Sequence, residues 1–177
     1  MATANQERAA RFSRTYEAFY GRIHAYAARR VGSGSADEIA AETFLVAWRR
    51  FDVMPEEPLP WLYGVARNVV LHHRTRHARQ DTARNALLSE RVLVDDEPAE
   101  VESDDVRAAW DGLSEHDQEV LALVAWDELP VHDAAAVLGC TGPVFSVRLH
   151  RARKRFERLL GRETTASRHV TTLSEAS

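Results

Sequence analysis

The chain contains a single cysteine, Cys140. An internal disulfide framework and any Cys-rich zinc site are therefore excluded. Glycine and proline are also scarce, at 8 and 6 of 177 residues, and they cluster in a few places. What remains is a set of long stretches rich in Ala, Arg, Leu, Val and Glu, which favour helices over strands. There is no alternating strand pattern, no internal repeat and no glycine-rich phosphate loop. No run approaches the roughly 18 apolar residues of a membrane span. The start, Met1 to Arg11, is polar and lacks the apolar core of a signal peptide. These absences predict an all-α, cytoplasmic protein without membrane insertion. The apolar fraction of 45 % suffices for one medium domain or two small ones.

Catalytic constellations are missing too. No plausible Ser/His/Asp or Cys/His arrangement is present, so no enzyme and no cofactor is expected. His72, His73 and His77 raise the question of a metal, since His73 and His77 are four apart on a helix. A third ligand is not evident, and the arginine-rich flanks repel a cation, so no metal site is predicted.

Charge is segregated along the chain, although its net value is only −4. Residues 1–80 hold 12 arginines against 8 acids, and 148–177 hold 8 bases against 3 acids. Between them, 81–105 hold 2 arginines against 9 acids, and 106–147 hold 1 against 7. Local patches decide what a surface attracts. Two basic zones around an acidic middle suit a polyanion gripped at two places.

Apolar residues at Phe12, Tyr16, Phe19, Tyr20, Ile23, Ala27 and Val31 predict an amphipathic helix from Arg11 to Val31, with Gly21 as a candidate bend. Gly32-Ser33-Gly34-Ser35 breaks it. Ser35 is the expected cap of a second helix, with Asp37 and Glu38 in its first turn. Ala40, Phe44, Trp48 and Phe51 mark one face of that helix. A loop from Asp52 to Pro60 follows, and Pro60 suits the first turn of a third helix running to about Arg79. Trp61, Leu62, Val65, Val69 and Leu71 are its expected inward positions. Trp48 and Trp61, at helical spacing, read as core. From Asp81 the period weakens into an acidic run, a composition that buries little and reads as a linker. A second helical unit begins near Val106, with Ser114 and Asp117 spaced as a capping box and Val120, Leu121, Leu123 and Val124 as an apolar face.

The stretch from Leu129 to Leu160 carries the functional signal. A short helix, Val131 to Leu138, ends at Gly139, and a longer one starts near Pro143, the pattern of a helix-turn-helix. Phe145, Leu149, Ala152, Phe156 and Leu159 fall on one side of the longer helix. Ser146, His150, Arg151, Lys154 and Arg158 fall opposite or on the flanks, and Arg148, Arg153 and Arg155 add positive charge. An apolar back and a basic front fit the major groove. Residue patterns reach a DNA-binding helical protein and stop there.

Leu113-Ser114-Glu115, Glu119-Val120-Leu121, Ala135 to Gly139 and Val147-Arg148-Leu149-His150-Arg151-Ala152-Arg153 resemble region 4 of extracytoplasmic-function (ECF) sigma factors. Ala36-Asp37-Glu38-Ile39, Glu42, Phe44 and Ala47 to Phe51 resemble region 2.1–2.2 of the same family. Pro60-Trp61-Leu62-Tyr63-Gly64-Val65-Ala66-Arg67-Asn68 resembles the start of its region 2.4. The chain departs from the family pattern at Glu38, Ala41, His72 and the Thr141-Gly142-Pro143 turn, and Ser146 stands where Lys or Arg is frequent.

The resemblance implies two small helical domains: region 2 over 10–80 and region 4 over 106–161. An acidic linker over 81–105 joins them, and a disordered tail spans 162–177. It implies a sigma factor whose partners are core RNA polymerase and promoter DNA, with an anti-sigma factor as a further candidate partner. Asp37, Glu38, Glu42, Arg49 and Arg50 would dock on polymerase. Arg67, Asn68, Arg74 and Arg76 would meet the −10 element, together with the Asp52–Pro60 loop. Ser146, Val147, Arg148, His150 and Arg151 would read the −35 element, while Arg153, Lys154 and Arg155 hold phosphate. The linker would thread toward the polymerase active-site channel. The rival reading is a stand-alone helix-turn-helix regulator whose N-terminal helices sense a ligand or dimerise.

Overall fold

A computed structural model describes residues 2–85 and 104–174, with side chains described over 5–79 and 105–162. The acidic segment 86–103 lies outside the described residues. The chain divides into two compact units, Met1–Pro98 and Ala99–Ser177. Among the described residues there are seven α-helices, one 3₁₀ turn and no strand. The all-α expectation holds.

The N-terminal unit packs three helices against one another: α1 (Ala2–Val31), α2 (Ser33–Arg49) and α3 (Leu59–Asn85), with a 3₁₀ turn at Phe51–Val53. Its core draws Ile23, Tyr26 and Ala27 from α1, and Ile39, Ala40, Phe44 and Ala47 from α2. Leu62, Tyr63, Ala66, Val69 and Val70 complete it from α3. Full burial of each large apolar side chain contributes about 1.5–3 kcal/mol. The alanines of α2 let its neighbours approach closely, and the rings of Tyr26 and Tyr63 meet at 5.2 Å.

Two expectations for this unit are corrected. Ser35 does not cap α2, because the break takes one residue instead of four. Gly32, at φ 77° and ψ 161°, reverses the chain by itself, and α2 starts at Ser33. That backbone conformation is open to glycine at little steric cost. Asp37 and Glu38 are consequently displaced beyond the first turn. Leu71 is not inward either; it is 43 % exposed. The repeat through Leu62, Ala66, Val69, Val70 and His73 turns Leu71 to the opposite side of α3. Trp61 and Val65 are half-buried, and Pro60 sits in the first turn as expected.

In the C-terminal unit α4 (Asp104–Asp111), α5 (Glu115–Ala125) and α6 (Val131–Val137) all pack on α7 (Gly142–Ser174). Ser114 caps α5, its Oγ accepting from the Asp117 amide at 3.2 Å. Phe145, Leu149 and Ala152 anchor α7 in a core with Leu113, Val120, Leu123, Leu129 and Ala135. The turn between α6 and α7 has a full C-terminal closure. The Cys140 amide donates to the Ala135 carbonyl at 2.9 Å, and the Gly139 amide to that of Ala136 at 3.1 Å. Gly139 supplies the left-handed residue that this pair of bonds requires, at φ 64°. At its far end α7 runs through Gly161 to Ser174, where the sequence suggests a disordered tail. No proline lies in that stretch, and one internal glycine costs a helix only about 1 kcal/mol. Residues 175–177 lie outside the described residues.

The turns following α5 and α6 yield a paired prediction. Glu128 holds φ 53°, a left-handed position that costs a side chain about 1–2 kcal/mol. Glu128→Gly should stabilise the unit by about 0.5–1 kcal/mol after allowance for unfolded-chain entropy. Gly139→Ala should destabilise it by about 1–2 kcal/mol, since no neighbouring atom lies within 4 Å of the added methyl and only backbone strain remains. Urea unfolding of the full chain, followed by circular dichroism, reads both.

Candidate nucleic-acid interface

Each unit places a charged helical face opposite its core. In the N-terminal unit, Ala36, Ile39, Ala40, Thr43, Phe44 and Ala47 turn one side of α2 inward. Glu38, Glu42, Leu45 and Arg49, spaced by four, three and four residues, then form an outward stripe. Leu45, 47 % exposed, is an apolar residue within that stripe which charge-based sequence reasoning passed over. Its signal was available as the i, i+4, i+7 spacing from Glu38. Arg50 is also exposed, just past the end of α2.

Asp37 lies on another flank. Its Oδ1 accepts from the Tyr20 hydroxyl at 2.9 Å and faces His24 Nε2 at 3.3 Å. That hydrogen bond, then burial, raises the Tyr20 pKa above its ordinary value. The structure thus keeps Glu38, Glu42 and Arg49 together and ties Asp37 to α1.

The candidate DNA contacts of α3 are not equivalent. Asn68 is exposed, and Arg67 is half-buried. Arg74 donates through Nη2 to the Arg30 carbonyl at 2.7 Å, tying it to the end of α1. Arg76 reaches the other way, to α2, with Nη1 3.8 Å from Glu38 and Nη2 3.9 Å from Glu42. A proposed DNA contact therefore touches two proposed polymerase contacts, pairs separated by 38 and 34 positions in the sequence.

His73 sits at the same seam, 6 % exposed, with Nε2 lacking a hydrogen-bond partner among the described residues. Its ring lies 4.2 Å from that of His77. Burial, and then the charge of His77, lower its pKa. Among the described residues no group of three His, Cys, Asp or Glu side chains could hold a metal ion.

In the C-terminal unit the basic face of α7 is open. Ser146, Val147, His150, Arg151, Arg153 and Lys154 are exposed, with Arg148 half-buried beside them. Arg148, Arg151 and Arg153 have no hydrogen bond or ion pair among the described residues. Val147 is 50 % exposed, and Val144 stands in the same first turns. Exposed methyls beside unpaired arginines match a groove in which thymine offers a methyl and guanine two acceptors. Ser146 has its hydroxyl turned back to the Gly142 carbonyl at 3.0 Å. Lys154 pairs with Glu157 at 3.0 Å, an exposed contact of small energy.

Arg155 behaves differently. Its guanidinium meets Asp117 Oδ1 at 2.6 Å, and Asp117 also accepts from the Ser114 hydroxyl at 2.9 Å. The Asp117 side chain is 8 % exposed. Arg155 therefore clamps α7 to the start of α5, a role that spacing on α7 alone does not reveal.

A helix-turn-helix with an exposed basic face, in a chain whose other unit is a three-helix bundle, fits the class of DNA-binding transcription proteins. Comparison with known proteins narrows it. The sigma-70 region 2 family matches residues 15–80. The ECF RNA polymerase sigma factor EcfG of Rhodopseudomonas palustris (strain TIE-1) is 31 % identical over 128 residues, covering 71 % of each protein. The chain belongs to the ECF family of RNA polymerase sigma factors. Two solved structures share its fold. One is the sigma factor RpoE from Bartonella quintana, in complex with the anti-sigma factor NepR. It has a TM-score of 0.65 and 22 % identity, over 85 % of this chain and 96 % of that one. The other is CnrH in complex with the cytosolic domain of CnrY, with a TM-score of 0.59 and 24 % identity over 85 % and 87 %. No helix among the described residues is long and apolar enough to cross a membrane.

Arg155 and His73 each give a test. Arg155→Ala should destabilise the C-terminal unit by about 1–3 kcal/mol, because buried Asp117 loses a charged donor. Arg151→Ala and Arg153→Ala should stay within about 0.5 kcal/mol of wild type in the same melts. For His73 the folded state resists protonation, so the unfolded chain takes up the proton first as pH falls below about 6.5. The N-terminal unit should therefore lose stability as pH falls through that value, and His73→Leu should remove this part of the loss. Melting temperatures at pH 7.5 and 5.5 for both proteins make the comparison.

Proposed function

We propose that this chain is a cytoplasmic, non-enzymatic specificity subunit that binds core RNA polymerase and directs initiation from promoters with −10 and −35 elements. The observation that carries this reading is the exposed face of α7, with Ser146, Val147, His150 and Arg151 set opposite Phe145, Leu149 and Ala152. Arg148, Arg151 and His150 are the proposed base readers of the −35 element, with Val147 against a thymine methyl. Arg153 and Lys154 hold phosphate, and Arg155 supports the helix more than it touches DNA. In the N-terminal unit, Glu38, Glu42, Arg49 and Arg50, with Asp37 at the flank, dock on polymerase. Arg67, Asn68 and Arg76 face the −10 element beside the loop of residues 52–58, while Arg74 fixes α3 against α1.

The chemistry suits two weak grips made strong together. Neither basic face alone offers more than a few phosphate contacts, and such contacts weaken steeply with salt. Polymerase fixes both units on one promoter, so the second contact forms at high effective concentration. The relatives solved with anti-sigma partners support an anti-sigma factor as a further partner of this chain.

Purified protein added to core polymerase should yield promoter-specific transcription from a library of random upstream sequences, and the absence of any promoter-specific transcript in its presence would overturn the reading. On the promoter so found, Arg151→Ala should lose about 1–3 kcal/mol of discrimination at one base pair. Lys154→Ala should weaken all sequences alike and reduce the salt slope by about one unit.

A further inference from the structure

We propose that Arg76 is a positioning residue that couples the two faces of the N-terminal unit: it occupies the docking acids in the free chain and turns to nucleic acid when polymerase takes them. The inference rests on the reading of α2 as the docking face and α3 as the −10 face.

Glu38 and Glu42 stand one turn apart on α2, and the fork of Arg76 spans them from α3, at 3.8 and 3.9 Å. The distances are long for hydrogen bonds, and all three side chains are about half exposed. Such contacts are easily exchanged for another partner. The free seam holds two carboxylates against one guanidinium, so its net charge is negative and Arg76 offers little to a phosphate. A cationic surface that pairs with Glu38 and Glu42 reverses this balance. Arg76 then loses its partners within the chain, and as a planar, permanently charged fork it is suited to phosphate. Arg74 is held instead at the Arg30 carbonyl, at the end of α1. Because the coupling is a free energy, it acts both ways: nucleic acid that engages Arg76 frees the acids for docking.

The test is a double-mutant cycle on the full chain. Binding of a labelled single-stranded DNA of about twelve nucleotides is followed by fluorescence anisotropy at low salt. Neutralising the acids, with Glu38→Gln and Glu42→Gln together, should tighten binding about threefold to tenfold without polymerase. In an Arg76→Gln background the gain should shrink to that given by Glu7→Gln with Glu17→Gln, two exposed acids of α1 that serve as the general charge control. Arg76→Lys should retain most of the gain. Thermal melts check that each variant is folded.

An acid-pair gain that is equal with and without Arg76 overturns the coupling, as does a gain no larger than the α1 control. Transcription with core polymerase is measured on wild type in parallel. Active wild type with an Arg76-independent gain sinks only this inference, whereas inactive wild type sinks the sigma-factor reading itself.

Discussion

Between α1 and α2 the aromatic rings of Phe12, Tyr16 and Tyr20 interleave with Phe44, Trp48 and Phe51. Phe12 meets Trp48 at 5.0 Å, Tyr16 meets Phe44 at 4.8 Å, and Tyr20 stacks on Phe44 at 6.3 Å. Arg8 closes the far end, donating to the Trp48 carbonyl at 3.0 Å while lying over the Trp48 ring. Edge and offset ring contacts of this kind are directional as well as apolar. They fix the rotation of α2 about its axis. A helix turned by one residue would swing through about 100° and bring Glu38 and Glu42 against apolar neighbours, at a prohibitive desolvation cost. The stripe of Glu38, Glu42, Leu45 and Arg49 is outward because the rings are inward.

Cations on the two basic helices divide into those that hold the protein together and those left for a partner. Arg74 ties down the end of α1, and Arg155 joins α7 to α5. Arg148, Arg151 and Arg153 carry no such internal duty among the described residues. Counting arginines along a helix therefore overstates its grip on DNA. A phosphate competes only for guanidinium groups that can leave their present partners without loss of fold, and Arg155, bonded to a buried carboxylate, is not one of them.

Most of the fold was legible in the sequence because helical period and punctuation agree. Pro60, Ser114 and Gly139 each stand where the structure uses them, and the apolar face of α7 follows from Phe145, Leu149 and Ala152 alone. The misplaced cap had a specific cause. Four consecutive Gly and Ser residues look like a loop, yet Gly32 turns the chain alone and Ser33 onward is helical. Leu71 looks inward by residue type, but the phase set by Val69, Val70 and His73 points it outward. Partners were the least legible part. Asp117 and Arg155 lie 38 positions apart, as do Glu38 and Arg76, and no local pattern links them. The helical faces could be read from one chain, but which charges on them were already engaged could not.

Glu128 has a consequence for how this family member can change. A glutamate held at φ 53° is a local cost that a single nucleotide change to a glycine codon would relieve. Proteins tolerate new substitutions to the extent that their stability exceeds the threshold for function. The C-terminal unit thus has an unused margin within one mutational step of its present sequence. Changes on the exposed basic face of α7 that weaken packing around Phe145 or Leu149 could be absorbed by that step. Divergence of that face would then begin in the turn after α5, in a residue that is not part of it.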